Sequence, residues 1–250
     1  MIPSRGGPAP SIHVFAPRAQ LRIPQLASLT QTPHAQRTHD DRYTGLRTDL
    51  APPTHGEQTY PETMSDIIIP GIGSLEPAPA LDHLDLLAPP VAAALTALAE
   101  RGVATASSAL VVAIDPELAD TEVMTREFGM DLALSSNCIL VAGKRAGEER
   151  IAACVVRATT NADVNHVVKK RLDVRKASFW PQERAVEASG MEYGGITPVG
   201  VPGSWRLLID SACSVGWSCI GSGLRRSKLF VTGEVLAALP GAEIVEGLGV

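Results

Sequence analysis

The sequence predicts an α+β fold built on a mixed sheet, and three observations lead there. From Ser108 onward, short continuous apolar runs, the pattern of strands buried on both faces, alternate with segments that carry an apolar helical face. Two pairs of those runs are joined by short polar, glycine-containing links of hairpin composition, which a doubly wound parallel sheet does not use. The stretch Gly190 to Asp210, GMEYGGITPVGVPGSWRLLID, bends the backbone repeatedly before it enters the apolar run Leu207-Leu208-Ile209.

The first 63 residues hold nine of the nineteen prolines and four of the six histidines, with six Arg and no Lys. No apolar period runs through them, so residues 1-63 read as a disordered N-terminal extension, or as sequence upstream of a product that begins at Met64. They contain no apolar h-region, and Asp40, Asp41, Asp49, Glu57 and Glu62 argue against a presequence. Residues 64-105 form a lead-in, mobile from Pro70 to Pro79, followed by a helix. Pro90 suits its first turn, Val91, Leu95 and Leu98 share a face, and Gly102 stops it.

Residues 106-250 carry the main domain. Ser108 to Ile114 is a buried strand. Asp115, Pro116 and Glu117 start a helix that Gly129 closes. Leu134 to Ala142 and Arg150 to Val156 are the strands of a hairpin whose link is Gly143 to Glu149. Asn161 caps a helix with Val164, Val167 and Val168 inward and Lys169, Lys170 and Arg171 in its last turn. Arg175 to Phe179 is a short strand and Pro181 to Ser189 a helix closed by Gly190. After the glycine loop come strands at Trp205 to Asp210, Val215 to Ile220 and Leu229 to Val231. Thr232 caps the helix Gly233 to Leu239, and Ala242 to Val245 is the last strand.

Charge and cysteine usage narrow the function. The net charge of −5 disfavours a general nucleic-acid binder such as a DNA-binding protein. Residues 131 to 228 nevertheless carry fourteen Lys/Arg against nine Asp/Glu, a local +5. They cluster as Lys144-Arg145, Lys169-Lys170-Arg171 with Arg175-Lys176, and Arg225-Arg226 with Lys228, which are solvated faces or contacts for a phosphate-bearing ligand. Cys138, Cys154, Cys213 and Cys219 have no metal-ligand spacing and read as reduced core residues, so no metal is expected. No apolar run is long enough to span a membrane, and the expected location is the cytoplasm.

The segment Arg175-Lys176-Ala177-Ser178-Phe179, the loop Gly194-Gly195-Ile196-Thr197-Pro198-Val199-Gly200, the strand ending at Asp210 and the turn Gly221-Ser222-Gly223-Leu224-Arg225 together resemble the YbaK/EbsC family. These are editing domains associated with prolyl-tRNA synthetase, and the resemblance runs from about residue 106 to residue 244 in consistent order. It implies a partly barrel-like central sheet flanked by helices, and trans-editing hydrolysis of mischarged aminoacyl-tRNA of the Cys-tRNA(Pro) or Ala-tRNA(Pro) type. It also implies no metal or organic cofactor, and partners limited to mischarged tRNA and a prolyl-tRNA synthetase complex. In that family the loop positions the aminoacyl group through backbone atoms, and a lysine on the strand opening the hairpin is tied to activity.

Carried onto this chain, the resemblance makes Gly194 and Gly195 catalytic and assigns substrate binding to Ile196, Thr197, Pro198 and Gly200. Asp210 is a candidate for holding the amino group or a strand-end cap. Ser222 and Gly223 are candidates for the pocket wall or a plain turn. Lys144, Arg145, Lys169, Lys170, Arg225 and Arg226 are candidates for tRNA contact. Asn137 stands where the family carries lysine. A unit charge pair about 4 Å apart is worth roughly 4 kcal/mol at an effective dielectric near 20, so the exchange matters. Either Asn137 acts as a neutral donor, or Lys176 (less readily Lys144) restores the charge, or the domain binds tRNA ends or an aminoacyl ligand without hydrolysing it.

Overall fold

The computed structural model describes residues 67–250, and the extension expected over residues 1-63 lies outside them. Among the described residues the order is β1 (Ala78–Pro79), α1 (Pro89–Glu100), β2 (Leu110–Ala113), α2 (Thr121–Phe128), β3 (Ser136–Arg145) and β4 (Glu148–Arg157). Then follow α3 (Lys169–Leu172), β5 (Ala177–Phe179), α4 (Gln182–Ser189), β6 (Arg206–Asp210), β7 (Trp217–Gly221), β8 (Ser227–Thr232), α5 (Gly233–Ala238) and β9 (Ala242–Val245).

The strands make two sheets. One has the order β1-β2-β8-β7 and is antiparallel throughout; the other has the order β5-β3-β4-β6-β9. In the second, β3 pairs antiparallel with β4 and β5, while β4-β6 and β6-β9 are parallel, which makes the sheet mixed as expected. A bridge between Ser135 and Cys219 joins the sheets, so that they bend around a shared interior.

That interior is filled by Val91, Leu95 and Leu98 of α1, packed with Val155, Leu207, Ile209, Leu229, Val231 and Leu236. Each such side chain, fully withdrawn from water, contributes about 1.5–3 kcal/mol before the entropy of ordering it is subtracted. The outer face of the four-stranded sheet packs Leu110, Val112 and Phe230 under Met124 of α2. The outer face of the five-stranded sheet packs Val141, Cys154 and Leu208 under Leu172 of α3. Both sheets are therefore covered on both sides, which is why their strands read as continuous apolar runs.

Local differences from expectation have identifiable causes. The β3–β4 link is only Ala146-Gly147, both at positive φ (52° and 88°), a two-residue hairpin turn, so Lys144 and Arg145 are strand residues. The Asp115 carboxylate accepts the Glu117 N–H at 2.9 Å and closes only a 3-10 turn over Pro116–Leu118; the helix restarts at Thr121. Asp163, not Asn161, caps the next helical segment by accepting the His166 N–H at 3.0 Å. Asn161 is occupied elsewhere, its N–H and C=O both paired with Val250. Thr232 precedes α5 without a side-chain cap bond. The lead-in, expected to be mobile, is anchored: Ile69 and Leu75 are buried, and the Ser74 N–H donates to the Phe128 carbonyl at 2.8 Å.

Candidate active site

Beyond the Ser135–Cys219 bridge, β3 and β7 separate, and a cavity of about 330 Å³ opens between them, within the range of small-molecule sites. Asn137, Cys138 and Ile139 form the β3 wall and Cys219 to Gly221 the β7 wall. Tyr193, Gly194 and Ile196 add the loop, and Asp120 and Thr121 the start of α2. The Leu140 carbonyl accepts the Trp180 N–H at 2.8 Å on the β3 edge turned away from β4. Backbone groups two residues apart on a strand point the same way, so Cys138 offers its N–H and C=O to the cavity.

The loop is fixed by its own main chain. The Glu192 N–H donates to the Gly223 carbonyl and the Gly223 N–H to the Gly195 carbonyl, both at 2.8 Å, which ties the loop to the turn after β7. Gly194 has φ +78°, and a Cβ there would overlap the Arg225 guanidinium. The second half of the loop faces inward: Thr197, Pro198 and Val199 are buried, and Gly200 sits against the Pro90 main chain.

Asn137 and Lys228 bring an amide and an ammonium to the cavity wall. The Asn137 amide oxygen accepts the Thr121 hydroxyl at 3.3 Å, which leaves its NH₂ as the available donor. Lys228, on β8 opposite Gly221 and Val112, is 7 % exposed and lines the same space. Among the described residues its ammonium has no ion pair or hydrogen bond. Burial lowers its pKa from the ordinary lysine value; Cys219 and Asp120 oppose the shift and Arg225 adds to it. Asp120 is itself paired with Arg225 at 3.2 Å. Burial pushes the Cys138 thiol far up and that of Cys219 to about 12, so neither is a thiolate nucleophile at neutral pH.

Comparison with known proteins decides the family. The family model of the aminoacyl-tRNA editing domain matches residues 103–239, over half of the chain. This chain belongs to the aminoacyl-tRNA editing domain family. The fold of this editing domain is similar to that of a candidate trans-editing enzyme for prolyl tRNA synthetase, with a TM-score of 0.52 and 18 % identity, covering 64 % of this chain and 97 % of that one. It is also similar to a scaffold protein used for epitope backbone grafting (TM-score 0.51, 17 % identity, 64 % and 97 % covered). A third likeness, to a hypothetical protein, has a TM-score of 0.50 at 17 % identity and covers 61 % and 99 %. No curated protein matches the sequence.

In this editing domain, Asn137, Gly194 and Ile196 meet at the cavity, with Gly195 directly behind the wall against Gly221. Other expected site residues lie apart from it. Lys176 and Lys144 line a second cavity with Phe179, Trp180 and Arg184, and Lys144 is seven residues from Asn137 on one strand, about 23 Å away at strand rise. Lys176, whose neighbour Ala177 pairs with Gly143, lies at that same end of β3. Thr197, Pro198 and Gly200 support the loop from the core side, not the cavity side. The Asp210 carboxylate is used by the main chain, accepting the Ala212 N–H at 2.9 Å and the Gly249 N–H at 2.7 Å. The buried Ser222 hydroxyl bonds to Ser227, and Gly223 packs on Ala88.

Of the basic residues, Arg225 reaches Gly194, and Arg226 donates to the Asp85 carbonyl. Arg145 lies 3.7 Å from Asp173, and Lys169 and Lys170 belong to α3, which covers the outer face of the five-stranded sheet. Tyr193 and Lys228 line the cavity without having been singled out by sequence. Among the described residues no cluster of His, Cys, Asp or Glu is placed to hold a metal ion, and no helix is long and apolar enough to cross a membrane.

Proposed function

We propose that this editing domain is a trans-editing aminoacyl-tRNA deacylase of the YbaK/EbsC type, acting on tRNA(Pro) that carries cysteine or alanine. The observation that carries this reading is the cavity between β3, β7 and the glycine loop, walled by main-chain groups and the Asn137 amide. Hydrolysis proceeds by addition of water to the acyl carbon and cleavage of its bond to the ribose oxygen. The proton of the water passes to that oxygen, leaving free amino acid and tRNA with its terminal hydroxyl restored. The Cys138 N–H and the Asn137 NH₂ are the donors facing the acyl oxygen, where charge develops in the transition state.

Ile139 and Ile196 give the acyl side chain an apolar surround, and such a surround separates substrates by about 1–3 kcal/mol per methylene, so small acyl groups are favoured over larger ones by fit. Arg225, which reaches Gly194, and Arg226, the next residue in the turn before β8, take phosphates of the single-stranded tRNA end. Lys144, Arg145, Lys169 and Lys170 are too far to act on the ester and are left to the tRNA body. A prolyl-tRNA synthetase complex is the partner that would deliver the charged tRNA.

The test is release of amino acid from alanyl-, cysteinyl- and prolyl-tRNA(Pro) by the purified full chain. The reading predicts release from the first two in preference to the third. Tight tRNA binding with no release from any of them would instead favour the non-catalytic binder.

A further inference from the structure

We propose that the ammonium of Lys228, whose side chain lines the Asn137 cavity from β8, supplies the positive charge of this site to the acyl oxygen held beside Asn137. The inference rests on the deacylase reading and concerns the same cavity. It starts from an imbalance. Asn137 brings a neutral amide to the β3 wall, and the nearer-looking replacements, Lys144 and Lys176, lie in another cavity. Lys228 is the lysine of the Asn137 cavity, on β8 where it pairs with Gly221 of the cavity wall.

Its surroundings keep it available. Among the described residues no carboxylate lies within ion-pair distance of its ammonium. The neighbouring carboxylate, Asp120 at the start of α2, is engaged by Arg225 at 3.2 Å. The other titratable groups facing it are the thiol of Cys219 on β7, the guanidinium of Arg225 in the turn before β8, and, across the cavity, the thiol of Cys138 on β3 and the Tyr193 phenol of the loop. Val112 opposite it on β2 is apolar. A cation withdrawn from water without a partner is costly to the fold, and an anion developing within reach offsets that cost in the transition state. Desolvation works against the charged form and lowers the pKa of Lys228, so as pH rises it loses its proton below the ordinary lysine range.

The experiment compares wild-type protein with Lys228→Met and Lys228→Arg, measuring deacylation of alanyl-tRNA(Pro) against pH after subtraction of uncatalysed hydrolysis, alongside tRNA binding and thermal unfolding. The inference expects Lys228→Met to lose about 10²- to 10³-fold in kcat, the cost of one oxyanion donor, with tRNA binding kept and the melting temperature not lowered. It expects wild-type activity to fall on an alkaline limb that Lys228→Arg, which keeps its charge, shifts upward. Wild-type turnover in Lys228→Met overturns it, as does an alkaline limb unmoved in Lys228→Arg; either result leaves the deacylase reading standing.

If wild-type protein releases no amino acid from any charged tRNA, the deacylase reading fails and the Lys228 inference is decided by binding. The probe is 3′-alanylamino-3′-deoxyadenosine, a stable amide of the tRNA terminus. Weakening of its affinity by tenfold or more in Lys228→Met supports the contact, and unchanged affinity refutes it.

Discussion

Replacing Gly221 with alanine tests how tightly the cavity depends on the closeness of β7 to the glycine loop. A Cβ at Gly221 would overlap the Gly195 carbonyl oxygen, and would lie 2.8 Å from the Gly195 carbonyl carbon and 2.9 Å from the Ile196 carbonyl oxygen. All three are main-chain atoms of a loop already tied to Gly223, so they cannot swing aside as a flexible side chain would. Overpacking of this kind costs about 1–3 kcal/mol. For a chain of 150–250 residues each kcal/mol lowers the melting temperature by roughly 2–4 °C, which gives a fall of about 2–12 °C.

The loop must also move away from β7, carrying Gly194 and Ile196 with it, and a displacement near 1 Å costs roughly 10²-fold in rate. Thermal unfolding followed by circular dichroism and deacylation of alanyl-tRNA(Pro) read the two effects. Gly203→Ala is the control, because nothing lies within 4 Å of a Cβ built there and its φ is not positive. If Gly221→Ala melts and turns over like wild type, the close packing of loop on strand does not shape the site.

Three further outcomes follow. Asp210→Asn disturbs two main-chain hydrogen bonds at a buried strand end and should cost about 1–3 kcal/mol in stability, with turnover per folded molecule unchanged; a selective loss of turnover would make Asp210 a substrate contact after all. Iodoacetamide at pH 7.5 should leave Cys154 and Cys219 unmodified in the folded chain, since both are buried and burial holds their pKa values far above that pH, and mass spectrometry should find them alkylated after unfolding. Glu243→Gln should lower the melting temperature at pH 7 by a few degrees at most. Burial works to raise the Glu243 pKa, but hydrogen bonds and charges from Arg206 and Arg171 outweigh it and hold it low. Both arginines are about half exposed, so each pair contributes about 1 kcal/mol or less. A depressed carboxylate stabilises above its unfolded pKa of about 4.3 and stops doing so as pH falls through the folded value, so the difference between variant and wild type should vanish in acid.

Much of the fold was legible because its strands are short apolar runs punctuated by glycine. Gly129 and Gly190 end α2 and α4 at positive φ, where the sequence puts the stops, and the mixed sheet follows from hairpins interleaved with helices. Less legible were starts that depend on which of two polar residues is free. Asn161 and Asp163 look equally able to cap, and only the pairing of Asn161 with Val250, remote in sequence, decides it.

The cavity was partly legible. Gly194, Ile196 and Asn137 meet there, but Gly195 packs on the Leu224 main chain, Gly200 lies against α1 and Pro198 is buried. Lys228 was hidden among Arg225 and Arg226, because charge clusters carry no direction. A signal was present in the run Ser-Lys-Leu-Phe-Val-Thr. Leu229, Phe230 and Val231 in succession require a strand covered on both faces, and Lys228 shares the face of Phe230. A lysine there has to point into protein. Lys176 misled in the opposite sense, since its segment carries the family resemblance but belongs to the far end of β3.

The most direct test of where the chemistry takes place is a crystal structure of the full chain with 3′-alanylamino-3′-deoxyadenosine bound. The account predicts the alanyl group between Asn137, Gly194 and Lys228, with its carbonyl oxygen turned toward the β3 edge. An alanyl group lodged instead beside Trp180 and Lys176 would contradict it.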